Sequence, residues 1–310
     1  MLIQQTPVRI VEDLWMLATA AYPLYLVRAG QSAAVFEGGT GAMGPLVKEQ
    51  LAELETGLPA VRQIVVTHAH PDHVMAVPLL RGLFPEAKVL ASQAAADTLS
   101  SEKAVAFFAK MDGALTEALV QQGLVGAEHR PPPLAESTIP VDRVIGEGDC
   151  IEVDGGWTFQ VLQTPGHSDC SLSFFEPRRK VLFVSDATGY YMPEHDCWWP
   201  NYFTDYDAYV RSIERLAGLG AEVLCLSHNA VVVGRDAVAQ YFQRVLEATR
   251  EYHERIVAEA RAGRPARQIA ETLGKDIHEK KPLFPLEFFQ KNCALLVKLS
   301  LRHEGIEVDK

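Results

Sequence analysis

Cysteine is scarce in this chain and poorly placed for cross-linking. The five residues, Cys150, Cys170, Cys197, Cys225 and Cys293, are odd in number, widely spaced and include no C-x-x-C pair. That disfavours a disulfide framework and makes reduced thiols in the cytoplasm the expectation. Long apolar runs are also missing. No stretch reaches the length of a membrane span, so no membrane partner is expected. The opening MLIQQTPVRIVEDLWML lacks the basic start, apolar middle and small-residue cleavage site of a targeting segment. Internal repeats and low-complexity tracts are absent. Basic residues are outnumbered, 29 against 40 acidic ones, for a formal net charge of −11. A surface of that sign repels phosphate backbones and anionic headgroups, so nucleic acid is not an expected partner either.

What remains is an ordinary globular composition, 48% hydrophobic and 22% charged over 310 residues, enough to bury a substantial core. The first two-thirds read as short strands separated by turns, at 22–27, 33–37, 63–67, 88–91, 143–145, 151–153, 158–163, 171–175, 181–185 and 223–227. Gly38-Gly39-Thr40-Gly41 reads as a tight turn and not as a phosphate loop, since the G-x-G-x-x-G and Walker patterns are absent. Helices are expected from Pro45 to Thr56, with Leu46, Leu51 and Leu54 as its apolar face and Gly57 as its stop, and from Val77 to Leu83. A single long helical stretch is expected over 93–123, carried by Val105, Phe108, Met111, Leu115 and Leu119. Another runs over 205–217, with Thr204 and Asp207 in capping-box spacing and a stripe of Tyr206, Tyr209, Val210, Ile213 and Leu216. From residue 236 the periodicity is helical throughout, at 236–262, 266–273 and 286–303. The reading is therefore an α/β domain over 1–235, with 93–123 inserted, and a helical extension over 236–310 packed on it.

The segment Thr67-His68-Ala69-His70-Pro71-Asp72-His73 follows a short apolar strand. It gathers three imidazoles and a carboxylate in six positions. Alternating residues of an irregular loop can turn to one point, so His68 and His70 can grip one ion while Asp72 and His73 face another. Neutral imidazole with carboxylate suits zinc, and also iron or manganese. Three more candidates stand at strand ends. His167 follows strand 158–163 after Pro165-Gly166, Asp186 follows 181–185, and His228 follows 223–227. Four strands finishing in a ligand at their C-terminal ends mark a binding cleft, by extension of the rule for open α/β sheets.

The His-x-His-x-Asp-His run followed by isolated His167, Asp186 and His228 resembles the metallo-β-lactamase superfamily of hydrolases, from residue 20 to about 235. The resemblance implies a four-layer αββα sandwich with a dinuclear site at one edge. It implies that His68, His70 and His167 hold the first of two divalent metal ions. Asp72, His73 and His228 then hold the second, and Asp186 bridges. The implied activity is a hydrolase whose metal-bridged hydroxide attacks an electrophilic carbonyl or phosphoryl centre. Asp72 would orient that nucleophile and shuttle its proton. In lactonase members a tyrosine soon after the bridging aspartate faces the substrate oxygen, which makes Tyr190 a candidate beside its alternative role in packing.

The run is followed by Val74-Met75-Ala76-Val77 and not by the two glycines of many thioester- and lactone-cleaving members, which argues against a direct glyoxalase II assignment. The inserted helix and helical tail give a layout similar to the branch containing the alkylquinolone-pathway thioesterase, and to that in which a helical tail follows a nuclease-like body. The preferred substrate is a small ester, lactone or thioester. The alternatives are phosphodiester or RNA cleavage, and a mononuclear iron dioxygenase of the persulfide type. A metal-stabilised regulatory protein is the non-enzymatic alternative. Trp198, Trp199, Tyr202 and Phe203 form the richest aromatic patch, open to a pocket wall or to core packing. His129, His195, His253, His278 and His303 fit no ligand slot and read mostly as surface or helix-face residues, with His195 close enough to the aromatic patch to contact substrate. Cys170 reads as a buried thiol. Helices 236–262 and 286–303 are left as either a lid or a homodimer interface.

Overall fold

Each β-rich run of the sequence becomes a strand in the computed structural model, and six further strands join them. The structure describes residues 1–53 and 60–307, which fall into two compact units with interleaved chain segments. The first unit comprises Met1–Gln163, Cys170–Ser185 and Val223–Val233. Its strands are β1 (Leu2–Ile3), β2 (Val8–Val11), β3 (Leu14–Ala18), β4 (Pro23–Ala29), β5 (Ser32–Phe36), β6 (Ala60–Val65), β7 (Lys88–Ala91), β8 (Arg143–Val144), β9 (Cys150–Val153), β10 (Trp157–Gln163), β11 (Leu172–Glu176), β12 (Val181–Phe183), β15 (Val223–Cys225) and β16 (Val231–Val233). They build two seven-stranded sheets, ordered β1-β16-β15-β12-β11-β10-β9 and β2-β3-β4-β5-β6-β7-β8. The three strands missed at the start of the chain lie in these sheets; Val8–Val11 alternates only weakly, and Leu14–Ala18 is buried on both faces.

The sheets close on one shared apolar core, because inward residues of both are large and aromatic. Phe36 of β5 stacks on Phe183 of β12 at 4.6 Å and meets Phe159 of β10 at 4.7 Å and Phe174 of β11 at 5.3 Å. All four are at most 2% exposed. Such pairs add to the area term that drives sheet-on-sheet packing. This two-sheet α/β architecture, followed by C-terminal helices, is the one the sequence led us to expect.

The first unit also holds α1 (Met43–Glu53), α2 (Val77–Leu83), α3 (Gln93–Leu99) and α4 (Glu102–Gln121). Helix α1 buries Met43, Val47 and Leu51, while Leu46 is only half-buried, and the expected Leu54, Thr56 and Gly57 lie outside the described residues. The single helix expected over 93–123 is two. Ser92 caps α3 through Ala95 N and Ser101 caps α4 through Ala104 N, so each serine hydroxyl satisfies a first-turn amide and restarts the helix.

The second unit comprises Thr164–Asp169, Asp186–Glu222 and Gly234–Lys310, described to residue 307. It carries the hairpin β13 (Tyr190–Met192) and β14 (Cys197–Trp199), with α5 (Tyr206–Ala217), α6 (Arg235–Arg261), α7 (Ala266–Lys280) and α8 (Leu286–His303). The cap of α5 is Asp205, whose Oδ1 accepts from Ala208 N at 2.7 Å; Thr204, expected to cap it, instead donates to Gly166 O at 3.1 Å. Among the described residues no helix is long and apolar enough to cross a membrane, and all five cysteines are free thiols.

Candidate metal centre

Hydrogen bonding in the ladder of β6 runs one residue past the strand, with Val66 N donating to Leu90 O at 2.8 Å, and then stops. Thr67 and His68 therefore begin the irregular loop. Pro71 pre-sets the φ of a single 3₁₀ turn over Pro71–His73, closed by His73 N donating to His70 O at 3.0 Å. The loop is backed by the glycines after β5. Met75 N reaches Gly39 O at 2.9 Å and Ala76 N reaches Gly38 O at 3.0 Å. A Cβ on Gly38 would stand 2.3 Å from the His73 carbonyl oxygen, so only glycine permits this approach. The tight turn expected over 38–41 is instead an irregular glycine segment leading to a turn at Gly41-Ala42, and it seats the histidine turn.

Three non-glycine residues beside the candidate ligands adopt left-handed backbone: Glu37 (φ +76°), Ser185 (φ +50°) and Asn229 (φ +69°). Such conformations are costly and persist where surrounding contacts over-determine them. Glu37 shows what those contacts are. It is 4% exposed and accepts from His73 Nδ1 at 2.8 Å, Thr67 Oγ1 at 3.0 Å and Ser227 Oγ at 3.1 Å. One carboxylate thus gathers three side chains from two chain segments and fixes the His73 ring with Nδ1 as its donor.

The other imidazoles are oriented in the same way. His228 Nδ1 donates to Ala21 O at 2.8 Å, and its ring is met edge-on by Tyr22 at 5.3 Å. His68 Nδ1 lies 3.2 Å from Thr67 Oγ1 and 3.0 Å from Ser185 Oγ. The Thr67 hydroxyl itself donates to Glu37, so two hydroxyl oxygens hold the Nδ1 edge of this ring. In the second unit, His167 Nδ1 donates to Asn201 O at 2.8 Å. Its position follows from the expected sharp turn: Gly166 has φ +119°, and a Cβ there would lie 2.3 Å from the Tyr209 backbone. With Nδ1 engaged, Nε2 of His73, His228 and His167 is the ring atom that could hold a cation.

The spacing of the remaining donor atoms tests whether a metal fits. Two ligands about 2.0–2.1 Å from a tetrahedral ion stand roughly 3.4 Å apart. His68 Nε2 and His70 Nδ1 are 3.1 Å apart. Asp72 Oδ2 is 3.4 Å from His73 Nε2 and 3.8 Å from His228 Nε2, and these three residues offer ligand atoms all within 4.8 Å of one another. In the second unit His167 Nε2 is 3.6 Å from Asp186 Oδ2. The His68–His70 separation is also that of a hydrogen bond, while the three imidazole–carboxylate separations exceed good hydrogen bonds and match neighbouring ligands around one ion. The residues fit the group.

Around these donors the structure distributes the weaker candidates. Tyr190 opens β13 opposite Trp199, half-buried, with Lys281 Nζ 6.0 Å from its ring centroid. Trp198 stacks on Tyr191 at 4.5 Å, Trp199 packs on Phe289 at 5.5 Å, and the Tyr202 hydroxyl lies 2.9 Å from Ser300 Oγ, so these three belong to the core of the second unit. Phe203 is different, half-buried with its ring 5.3 Å from His167. Cys170 is the expected buried thiol and accepts from Ala69 N at 3.3 Å. His129 and His253 correct the surface reading, at 7% and 8% exposure, whereas His195 is exposed as expected. Sequence reasoning also missed Asp112 of α4, which accepts from Gly41 N at 2.8 Å; burial pushes its carboxyl up to about 6, against the Gly41 hydrogen bond, with the nearby Asp72 charge adding. Glu37 was equally overlooked, although a glutamate ending an apolar strand ahead of two glycines is a visible signal. So is the hydroxyl residue preceding a candidate ligand in Thr67-His68, Ser185-Asp186 and Ser227-His228.

The comparisons agree with this geometry. Residues 23–228 match the family model of the metallo-beta-lactamase superfamily. An uncharacterized protein of Aquifex aeolicus is 33% identical over 144 residues, 44% of this chain and 55% of that protein, so the match spans about half of the relative's length. Among solved structures, a metallo-beta-lactamase family protein of Thermus thermophilus aligns over 96% of this chain and 95% of its own, with 23% identity and a TM-score of 0.63. The inverting sec-alkylsulfatase Pisa1 of a Pseudomonas species covers 96% of this chain with 50% of its own, at 16% identity and TM-score 0.62. BJP-1, a subclass B3 metallo-beta-lactamase of Bradyrhizobium japonicum, covers 84% of this chain with 96% of its own, at 17% identity and TM-score 0.56. At such identities the structural likeness is one of fold. The family-model match spans most of the chain and includes every candidate ligand, and this chain belongs to the metallo-beta-lactamase superfamily.

Proposed function

We propose that this chain is a metal-dependent hydrolase of a small ester, lactone or thioester. In this reading His68, His70 and His167 hold one divalent ion, Asp72, His73 and His228 hold a second, and Asp186 serves both. Zinc suits the donor set best. When bound, such ions lower the pKa of water from near 16 to about 7 and polarise the oxygen that gains charge. The chain's own residues do the rest. Glu37, the Ala21 carbonyl and the Asn201 carbonyl hold three rings in one tautomer before anything binds. Asp72, with its side chain 28% exposed, is accessible enough to accept and pass on a proton. Tyr190 is assigned to the substrate oxygen and Phe203 to an apolar substrate wall.

The observation that carries the reading is the shared pattern of the imidazoles. His73, His228 and His167 each have one nitrogen committed to a protein oxygen and the other at ligand spacing from a neighbouring carboxylate oxygen. The net charge of −11 supports a small substrate over RNA. The test is a panel of esters, lactones, thioesters and phosphodiesters, run on the zinc-loaded chain and on its Asp186→Ala variant. We expect turnover of an uncharged acyl compound, lost in the variant together with most of one ion. Unchanged turnover in Asp186→Ala rejects the assignment.

A further inference from the structure

The second unit contains another histidine cluster that the proposed hydrolytic centre does not use. His253 lies in α6, while His303 ends α8 and Glu304 follows it. One ligand atom from each falls within 4.8 Å of the others. His253 is 8% exposed, and its Nδ1 has no hydrogen-bond partner among the described residues. Its Nε2 stands 3.5 Å from Glu304 Oε1. That is long for a charge-assisted hydrogen bond, which would close to about 2.7–2.9 Å, and close to the separation of two ligands on one tetrahedral ion.

The cluster is also braced. Arg261 Nη2 donates to Glu304 Oε2 at 2.7 Å, so the second oxygen is the one turned to the imidazole. Tyr206 stacks on His253 at 4.1 Å and meets His303 edge-on at 5.0 Å, and the two imidazoles lie edge to face at 5.4 Å. Exposure of His303 and Glu304 leaves a path for an ion and for the waters that complete its coordination. The C-terminal end of an 18-residue helix adds partial negative charge.

We infer that His253, His303 and Glu304 form a further binding site for a zinc-like transition-metal dication, pinning the end of α8 to α6. Two imidazole nitrogens and one carboxylate oxygen select borderline ions over calcium or magnesium, which require oxygen ligands. An ion held only by the folded chain stabilises it by mass action. The inference does not depend on the proposed hydrolytic centre.

Zinc titration of the chelator-treated full chain, in competition with a chromophoric chelator, tests it. His303→Ala and Glu304→Gln are each expected to bind one zinc fewer per chain than the unaltered protein, whatever the total. Their zinc-dependent rise in Tm should shrink, while hydrolysis is unchanged. Equal stoichiometry in all three proteins overturns the site. Independently of any variant, histidine-ring NMR of the unaltered chain should show the His253 and His303 signals shifting with added zinc. Signals that stay in place overturn it too.

Discussion

His73 and His253 are both nearly buried imidazoles facing a carboxylate, and they are held by different means. His73 is fixed by Glu37, which is itself fixed by Thr67 and Ser227. Its orientation comes from a polar network anchored at strand ends, beginning one residue after Phe36 of the phenylalanine cluster. His253 is positioned by the face of Tyr206 and by one exposed glutamate at a helix end, and its Nδ1 has no hydrogen-bond partner among the described residues. The first arrangement is preorganised, whereas the second leaves the ring and carboxylate room to adjust. Disturbance of the frame or of its buried acids should therefore be felt strongly around His73, and disturbance of surface charge on the helices hardly at all.

The largest expected effect comes from the frame itself. Phe36→Ala removes the ring at the centre of the phenylalanine cluster, one residue before Glu37, and should cost about 3–5 kcal/mol of stability by urea unfolding. A loss under roughly 1 kcal/mol would mean that the sheets do not depend on this contact.

Next is Asp112, a second buried acid in the first unit. Burial raises its carboxyl to about 6 from 3.8, so the folded chain binds this proton more tightly than the unfolded one. Its contribution is fully present below pH 3.8 and is lost as pH rises through about 6. Asp112→Asn keeps an oxygen for Gly41 N and removes the charge. It should be more stable than the unaltered chain at pH 8 by on the order of 2 kcal/mol, and no different near pH 3.5. A variant less stable at both pH values contradicts this account of Asp112.

Glu37→Gln sharpens the contrast most directly. It retains the shape of the side chain but weakens the acceptor of His73, and partners of this kind are typically worth about 10–100-fold in metal affinity or activity. Zinc competition should show that loss with little change in fold by circular dichroism. The smallest effect is expected at Arg267, whose pair with Glu271 lies on the exposed face of α7. Arg267→Ala should leave Tm unmoved, since exposed pairs are screened and entropically costly.

Much of this was readable from the amino-acid order. The strands at 88–91 and 158–163 and the helices at 77–83 and 286–303 follow local periodicity that tertiary contacts reinforce. The donor set was legible because its chemistry is unusual: histidines and aspartates after apolar strands have few other uses. Less legible was whatever depends on distant partners. Glu37 meets Ser227 across 190 positions, and nothing local in either residue announces the other. The long helix expected over 93–123 breaks at Ser100-Ser101 because the Ser101 hydroxyl caps a new helix, a competition that apolar spacing does not register. His253 and His303 were set aside as helix-face residues, since their relation arises only when α6 and α8 pack. The aromatic patch was divided by structure, three rings to the core and Phe203 to the side of His167.

The central claim is that the chain holds two cations on the seven assigned side chains and needs them to hydrolyse substrate. The most direct measurement uses His303→Ala, which removes the additional site from the count. This protein is stripped with a chelator, assayed on its best acyl substrate, refilled with zinc and counted by mass spectrometry. The account predicts no turnover when stripped, and recovery as the second zinc per chain is bound. Undiminished hydrolysis by the metal-free chain would contradict it.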